Sequence, residues 1–233
     1  MFTLLFSSAI ILGLQPPQPA AEPPAVVGKM EPSPRWKPLA RSLWFDPTAK
    51  RLVIRARVVL REGQLEHLLC LKGTKEHEAI LATDAAPRQI HAGLLLTGAE
   101  PGHPVRFLPR FEPPAGTPIE IQLLWKAGGK TNKSSAQLWV KDEKTSKPLA
   151  LAWVFAGSDL FMDPATKKTI YAADDGDLIT VANFGSSILD LPIASSASDA
   201  ERIFSANTTQ VPPLGTEVFM ILGPKSPAPT KKP

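Results

Sequence analysis

The chain has one cysteine, four histidines and few aromatic side chains, and these small numbers exclude several classes of protein. A single cysteine excludes an intramolecular disulfide and any iron–sulfur or zinc site built from thiolates alone, because such sites need three or four. An apolar fraction of 43% over 233 residues is nevertheless enough to bury one sizeable core. We therefore expect the fold to be held together by that core.

The first 14 residues form an apolar run that is too short to cross a bilayer, which needs about 20 residues. The run has the length of a signal-peptide core, although no lysine or arginine precedes it. We expect residues 1–21 to be a signal peptide or an uncleaved N-terminal anchor, and the protein to be exported: periplasmic, secreted or membrane-tethered. Prolines mark a linker over 22–38 and, with lysines, a tail over 224–233, which leaves one domain over 39–223.

Residues 51–60 show the clearest strand pattern. Apolar side chains alternate there with a set rich in arginine: Leu52, Ile54, Ala56, Val58 and Leu60 against Arg51, Val53, Arg55, Arg57, Val59 and Arg61. Successive side chains of a strand point to opposite faces, so one face is predicted to be core and the other basic. Residues 42–45 form the partner strand across a turn at 46–50. We expect Ile54→Ala to cost roughly 2–5 kcal/mol of stability, and Arg55→Ala about 0.5 kcal/mol or less.

Basic residues are concentrated near the front of the chain. The segment 29–61 holds nine basic and two acidic residues, whereas the whole chain has a net charge of only +4. This pattern predicts contact with an envelope component or another anionic surface through Arg51, Arg55 and Arg57; a plain solvated strand face is the alternative. Nucleic acid is not expected as a partner, because aromatic residues are not interleaved with these cations.

The remaining pattern predicts the α+β class: a single strand-rich domain with mostly antiparallel hairpins and one or two helices. Residues 65–71 and 75–82 are expected to form a second hairpin around Gly73 and Thr74, which suit a two-residue turn. A helix is expected over about 85–97, with Asp84 as its N-cap and Gly98 just past its end. Further strands are predicted over 119–125, 136–141, 150–155, 169–173, 178–183 and 217–222, with a short helix over 199–204.

Five short segments carry a family resemblance. In chain order they are 75–78 (Lys-Glu-His-Glu), 90–95 (Ile-His-Ala-Gly-Leu-Leu), 98–104 (Gly-Ala-Glu-Pro-Gly-His-Pro), 153–158 (Trp-Val-Phe-Ala-Gly-Ser) and 211–218 (Val-Pro-Pro-Leu-Gly-Thr-Glu-Val). This series resembles the YdjY-like domain family over about residues 65–222. The resemblance implies a bacterial protein that is exported or belongs to the envelope, and it implies no particular activity. Some members carry a ferredoxin-like or iron–sulfur label, which the single Cys70 of this chain does not support.

All four histidines and the cysteine lie within residues 67–103, so any reactive site is expected there. In the second predicted hairpin Cys70 faces His77, with Cβ atoms about 4.5–5.5 Å apart. A thiol and an imidazole at that separation can share a proton and form a nucleophilic or redox-active pair, with Lys75 and Glu78 in support. The alternative is a small buried cysteine beside a structural histidine.

The same stretch offers metal ligands: His77 with His91 or His67, and Glu76 or Glu78. Imidazole and carboxylate ligands suit zinc and similar ions. Neighbours in a strand point to opposite faces, however, so His77 and Glu78 cannot both bind one ion without a bulge. We therefore expect no cofactor, with a transition metal at His77 and His91 as the alternative; an iron–sulfur cluster is not expected.

Three similarities to known motifs fail on spacing. Residues 128–131 lack the first glycine of a phosphate loop, residues 174–177 lack the final glutamate of a calcium loop, and Gly157 lacks the second glycine of a nucleophile elbow. We therefore predict an exported, non-catalytic domain that binds a partner or an envelope surface. The alternative is a Cys/His-based enzyme, or a redox or metal-binding protein, that uses the cluster between His67 and His91.

Overall fold

The computed structural model describes residues 27–195 and 203–226. Within these ranges the strands are β1 (Val27–Gly28), β2 (Lys37–Ala40), β3 (Leu43–Asp46), β4 (Arg51–Val58), β5 (His67–Leu71), β6 (Ala79–Thr83), β7 (Pro101–His103), β8 (Ala115–Gly116), β9 (Pro118–Ala127), β10 (Lys130–Ser135), β11 (Val140–Asp142), β12 (Lys147–Pro148), β13 (Trp153–Phe155), β14 (Leu160–Met162), β15 (Thr169–Tyr171), β16 (Asp177–Thr180), β17 (Leu189–Asp190), β18 (Phe204–Ala206) and β19 (Glu217–Pro224). The α-helix α1 is Pro87–Leu96, and short 3₁₀ turns lie at Glu76–Glu78, Ala136–Trp139 and Ala172–Asp175. The predicted leader over 1–21, most of the predicted helix over 199–204 and the end of the tail lie outside the described residues.

Eight strands close into a barrel. Around the ring their order is β9, β13, β17, β16, β5, β6, β4 and β19, and the ring closes because β19 pairs with both β4 and β9. Neighbours in the ring are antiparallel except for β5 with β6 and β16 with β17. Strands account for 43% of the structure and helices for 11%, so the predicted α+β class is wrong. Local periodicity identifies strands but does not reveal that the last one inserts between β4 and β9.

The hairpin of β3 and β4 confirms the first predicted strand pair. Its turn is built by Asp46, whose Oδ1 accepts hydrogen bonds from the backbone N–H groups of Thr48 and Ala49 at 3.0 Å each. Leu43 pairs with Ile54, and Asp46 pairs with Arg51. The predicted inner face of β4 is confirmed from Leu52 to Val58, all buried in the main core: Leu52, Ile54, Ala56 and Val58.

The outer face of β4 is not the solvated basic surface that its sequence suggests. Val53 is fully buried there with Phe219 and Met30, and Trp36 and Trp44 pack against this small second cluster. Part of the segment predicted to be a linker therefore covers the sheet, because Met30 and Trp36 both belong to it. Strands β1 and β2 also begin before residue 39, where order was expected to start.

Helix α1 confirms the predicted helix with shorter ends. Pro87 stands at its start, and Ile90 and Leu94 are buried in the main core. The helix stops before Gly98, which has a φ of +85° that glycine adopts readily. The predicted N-cap is wrong: Ala86 holds that position, and the carboxylate of Asp84 instead pairs with Arg41 at 2.5 Å.

Strands β5 and β6 form a parallel pair, so the predicted second hairpin is wrong. His67 pairs with Ala79 and Cys70 with Ala82, and residues 72–78 form the connection between the strands. Parallel strands that are covered on both faces consist of nearly continuous apolar residues, and β5 and β6 are buried almost throughout. The uninterrupted apolar runs of β5 and β6 indicate parallel pairing. The turn-forming pair at 73–74 favours a hairpin instead, and it led to the wrong prediction.

The other predicted strands are found with altered lengths. The predictions over 119–125 and 217–222 correspond to β9 and β19, and that over 178–183 corresponds to β16. The prediction over 136–141 splits into a 3₁₀ turn and β11, since Ala136 and Trp139 are buried from a turn rather than a strand. The polar strand β10 was not predicted, because its sequence has no apolar alternation.

Candidate functional site

A histidine and an aspartate meet inside the barrel wall, where β5 and β16 run side by side. His67 is the first residue of β5 and Asp177 the first of β16, and both are almost completely buried. His67 Nε2 lies 2.7 Å from Asp177 Oδ1. The ring of His67 also stacks on Phe184, with centroids 5.4 Å apart. Its orientation is therefore fixed on one side by a carboxylate and on the other by an aromatic ring.

Two further side chains hold Asp177. Lys75 Nζ donates to Oδ1 at 2.6 Å, and Ser186 Oγ donates to Oδ2. Burial alone would raise the pKa of Asp177, but the hydrogen bonds from His67, Lys75 and Ser186 outweigh it and keep the pKa well below its usual range. Asp177 is therefore an ionised acceptor at neutral pH, and the Nε2 of His67 is the nitrogen that donates to it.

Glu66 and Glu78 lie close to the same histidine. One carboxylate oxygen of each and one ring nitrogen of His67 all lie within 4.8 Å of one another. The two segments are tied together, because the backbone N–H of Glu66 donates to the carbonyl of Glu78 at 3.1 Å. Among the described residues, His67 Nδ1 is buried and has no hydrogen-bond partner. This arrangement of one imidazole and two carboxylates is the kind of donor set that binds divalent cations.

Cys70 is fully buried and is not paired with His77. It pairs with Ala82 of β6 on one side and with Asp177 of β16 on the other. Burial raises the pKa of the Cys70 thiol to about 11, against the opposing effect of hydrogen bonding from the backbone of Lys75. The thiol is thus protonated at neutral pH, which is the opposite of what a nucleophilic cysteine needs.

The other histidines of the stretch lie apart from one another. His77 sits in the 3₁₀ turn Glu76–Glu78 with 77% of its side chain exposed, 3.7 Å from Glu78. His91 Nδ1 lies 2.8 Å from Tyr171 Oη and 3.0 Å from the Gly157 carbonyl oxygen. Burial lowers the pKa of His91, which favours a neutral ring that fastens α1 to this corner. The structure does not bring His77 and His91 together as metal ligands.

An open cavity of about 710 Å³ lies over the outer face of β4. Four cationic and three acidic side chains surround a partly apolar floor; the lining residues are Pro38, Ala40, Arg41, Ser42, Trp44, Arg55, Ala56, Arg57, Val59, Lys72, Glu76, Ala82, Thr83, Asp84 and Glu217. We call this cavity the β4 groove. It is formed by β2, β3, β4, β6, the start of β19 and the connection after β5.

The cations of the β4 groove fall into two kinds. Arg41 pairs with Asp84, and Arg55 lies 3.9 Å from Glu217. Arg57 and Lys72 are exposed, and neither makes an ion pair with another described residue. Glu76, the third acidic residue of the lining, makes no ion pair with a described residue either, so the lining carries a net charge of +1, with Arg57 and Lys72 as its two unpaired cations.

The three arginines predicted to form a binding surface have different surroundings. Arg51 pairs with Glu120 at 3.5 Å and donates to the Pro224 carbonyl at 3.2 Å. The guanidinium of Arg55 packs against two aromatic rings, 5.0 Å from the ring centroid of Trp44 and 5.4 Å from that of Phe219. Only Arg57 of this set reaches solvent as an exposed side chain.

A second buried acid, Asp190, was missed from the sequence. Its carboxylate accepts hydrogen bonds from Thr180 Oγ1 at 3.0 Å, the Leu191 N–H at 2.7 Å and Asn183 Nδ2 at 3.2 Å. Burial raises the pKa of Asp190 to about 7 in spite of these donors. The network joins β16 to β17, where the barrel has one of its two parallel pairs.

Only some of the residues around His67 were predicted from the sequence. Lys75, Glu78 and His67 were named as candidates, whereas Asp177, Ser186 and Glu66 were not. Asp177 was weighed only as part of a calcium-loop similarity in residues 174–177. Its contact with His67 spans 110 positions, and no local pattern signals such a contact.

The fold is a strand-rich barrel domain, and the buried pair His67 and Asp177 lies between two neighbouring strands of the barrel. A comparison with protein families matches residues 43–223 to the YdjY domain. The chain therefore belongs to the YdjY domain family, which confirms the resemblance seen in the sequence. No curated protein and no solved structure matches it. The described part of the chain contains no helix with the length and hydropathy needed to cross a bilayer.

Proposed function

We propose that this YdjY domain is a non-catalytic binding domain, and that its ligand carries acidic groups that enter the β4 groove. The observation that carries the proposal is the pair Arg57 and Lys72. Both line the groove, both are exposed, and neither makes an ion pair with a described residue. Cations on a concave surface raise the local concentration of anions and guide their approach.

The rest of the groove suits a ligand that has an apolar part beside its acidic groups. Trp44, Val59 and Ala82 provide apolar lining. A volume of about 710 Å³ falls within the range of roughly 300–1,000 Å³ that is usual for ligand sites. The ion pairs Arg41–Asp84 and Arg55–Glu217, together with the carboxylate of Glu76, limit the net charge of the groove to +1, so recognition depends on Arg57 and Lys72.

Binding is favoured over thiol chemistry by the state of Cys70. A pKa raised to about 11 leaves very little thiolate at neutral pH. The exposed His77 lies outside hydrogen-bond reach of that buried thiol in the parallel β5–β6 arrangement, so the base that a nucleophilic cysteine requires is not supplied from there.

The proposed setting is outside the cytoplasm, with an envelope component as the ligand. One observation supports it, the apolar run over the first 14 residues; the exported character that the family resemblance implies agrees with it. Cell fractionation with antibodies to the mature domain tests this part. The proposal predicts the protein in the periplasmic, secreted or membrane fraction; full-length protein found free in the cytosol would contradict it.

Calorimetric titration tests the ligand class with two probes, inorganic tripolyphosphate for phosphates and poly-glutamate for carboxylates. The double variant Arg57→Gln/Lys72→Gln should bind the preferred probe roughly tenfold or more weakly, since a charge-assisted hydrogen bond contributes about 1.5 kcal/mol or more. A matched control, Lys130→Gln/Lys144→Gln, removes the same charge outside the groove and should bind within about twofold of the wild type. Equal loss in both double variants, or saturable binding of neither probe, would overturn the proposal.

A further inference from the structure

We propose that Glu66, His67 and Glu78 form a binding site for a divalent transition-metal cation such as zinc. The site is separate from the β4 groove, since none of these residues lines that cavity. One carboxylate oxygen of each glutamate and one ring nitrogen of His67 lie within 4.8 Å of one another. Ligands around a tetrahedral zinc ion lie about 3.4 Å apart, given bond lengths of about 2.0–2.2 Å. Metal binding at this site therefore requires the two glutamate side chains to move closer to the ring.

The independent observation is the orphaned nitrogen of His67. The side chain of His67 is 0% exposed, and its Nδ1 has no hydrogen-bond partner among the described residues. Buried polar atoms in native proteins nearly always have a partner, so an exception calls for an unseen one. A neutral imidazole that donates through Nε2 leaves a lone pair on Nδ1, and that lone pair is a metal ligand.

The surroundings of His67 resemble those of metal-binding histidines in general. Such histidines usually donate their second N–H to a carboxylate, which fixes the tautomer and makes the other nitrogen a better ligand. Asp177 plays this role at 2.7 Å. Lys75 and Ser186 hold Asp177 in turn, so the orientation of the ring does not depend on a single contact.

The backbone also holds the three ligands in place. The N–H of Glu66 donates to the Glu78 carbonyl, and the N–H groups of Val181 and Ala182 donate to the Glu66 carbonyl at 2.8 and 3.2 Å. Glu66 directly precedes β5, His67 begins that strand, and Glu78 ends the 3₁₀ turn that leads into β6. One nitrogen and two oxygens without thiolate favour zinc, and they leave a fourth coordination position for water or a ligand.

Titration of chelator-treated protein with Co²⁺ and Zn²⁺ tests the site. We expect about one Co²⁺ per chain, seen as visible ligand-field absorption, and competition by Zn²⁺. Glu66→Gln and Glu78→Gln should each weaken binding at least tenfold, whereas His77→Gln, next to the site but exposed, should stay within twofold of the wild type. Less than about a tenth of an equivalent bound to the wild type, or equal loss in the His77→Gln control, would overturn the site.

A measurement on the unmutated chain guards against variants that fail to fold. Two-dimensional ¹⁵N–¹H spectra of histidine side chains resolve the two ring nitrogens. Added Zn²⁺ should shift Nδ1 of His67 while its Nε2–H stays bonded to Asp177. Unchanged His67 nitrogens with shifts at His77 or His103 instead would show that the metal binds elsewhere, and would refute the proposal.

Discussion

Replacing Arg55 by alanine should destabilise the protein although arginine is a residue typical of surfaces. The Arg55 guanidinium lies 5.0 Å from the ring centroid of Trp44 and 5.4 Å from that of Phe219. It also lies 3.9 Å from Glu217, and the two side chains are only 28% and 17% exposed. A cation–π contact contributes about 0.5–1 kcal/mol at an exposed site and more when it is desolvated. Removing the guanidinium also leaves the partly buried carboxylate of Glu217 without its cationic partner. We therefore expect Arg55→Ala to lower the free energy of unfolding by roughly 2 kcal/mol.

Arg57 is the matched control on the same strand face. It is two residues along β4, exposed, and makes no ion pair with a described residue, so Arg57→Ala should change stability by about 0.5 kcal/mol or less. Ile54 is fully buried on the opposite face, so Ile54→Ala should cause the largest loss of stability, roughly 2–5 kcal/mol. The expected order of destabilisation is therefore Ile54, then Arg55, then Arg57.

Urea melts followed by tryptophan fluorescence and by circular dichroism measure these three variants. Agreement of the two signals supports a single cooperative transition, which is needed to compare free energies. The sequence alone predicted a cost of about 0.5 kcal/mol or less for Arg55→Ala. Equal values for Arg55→Ala and Arg57→Ala would refute the packing of Arg55 against Trp44 and Phe219.

Further predictions concern buried groups away from the groove. The pKa of Asp190 is raised to about 7, so its contribution to stability is present below about pH 4 and lost as the pH rises through about 7. In urea melts between about pH 5 and 8, the wild type should therefore lose roughly 3 kcal/mol more of its free energy of unfolding than Asp190→Asn. Iodoacetamide should alkylate Cys70 in the native protein far more slowly than free cysteine at neutral pH, since its thiol is buried and protonated. A Cβ at Gly93 would lie 2.4 Å from Leu52 Cδ1, so Gly93→Ala should lower stability by about 1–3 kcal/mol through overpacking, in spite of about 1 kcal/mol gained in helix propensity.

Each of these three has a clear contrary outcome. Equal pH dependence of the wild type and Asp190→Asn would mean that another group titrates in this range. Alkylation of Cys70 at the rate of free cysteine would mean that the connection after β5 does not shield the thiol. A melting temperature for Gly93→Ala at or above that of the wild type would mean that Leu52 has room to move.

Elements that depend on local pattern could be predicted from the sequence. The alternation in β4 and the carboxylate of Asp46 specify the first hairpin, and Pro87 and Gly98 mark the ends of α1 closely. The identity of β5 and β6 as strands was also predicted. Their parallel pairing was not, because a connection of seven residues with a turn-forming pair favours a hairpin on local grounds.

Features that depend on distant segments could not be predicted. The barrel closes through β19, which pairs with β4 and β9 from near the end of the chain. The burial of Val53 depends on Phe219 and on Trp36, which the sequence assigned to a linker. The candidate site shows the same limit: His67 was noted as a candidate, but Asp177 is separated from it by 110 positions.

The central claim, that Arg57 and Lys72 make the β4 groove an anion-binding site, is tested most directly by mapping where an anion binds. Amide NMR spectra of the ¹⁵N-labelled domain during titration with tripolyphosphate provide this map at single-residue level. We predict saturable shifts at groove residues such as Lys72, Ala82 and Thr83, with the amides of β10 unchanged. Shifts confined to residues outside the groove, or no saturable shift anywhere, would contradict the claim.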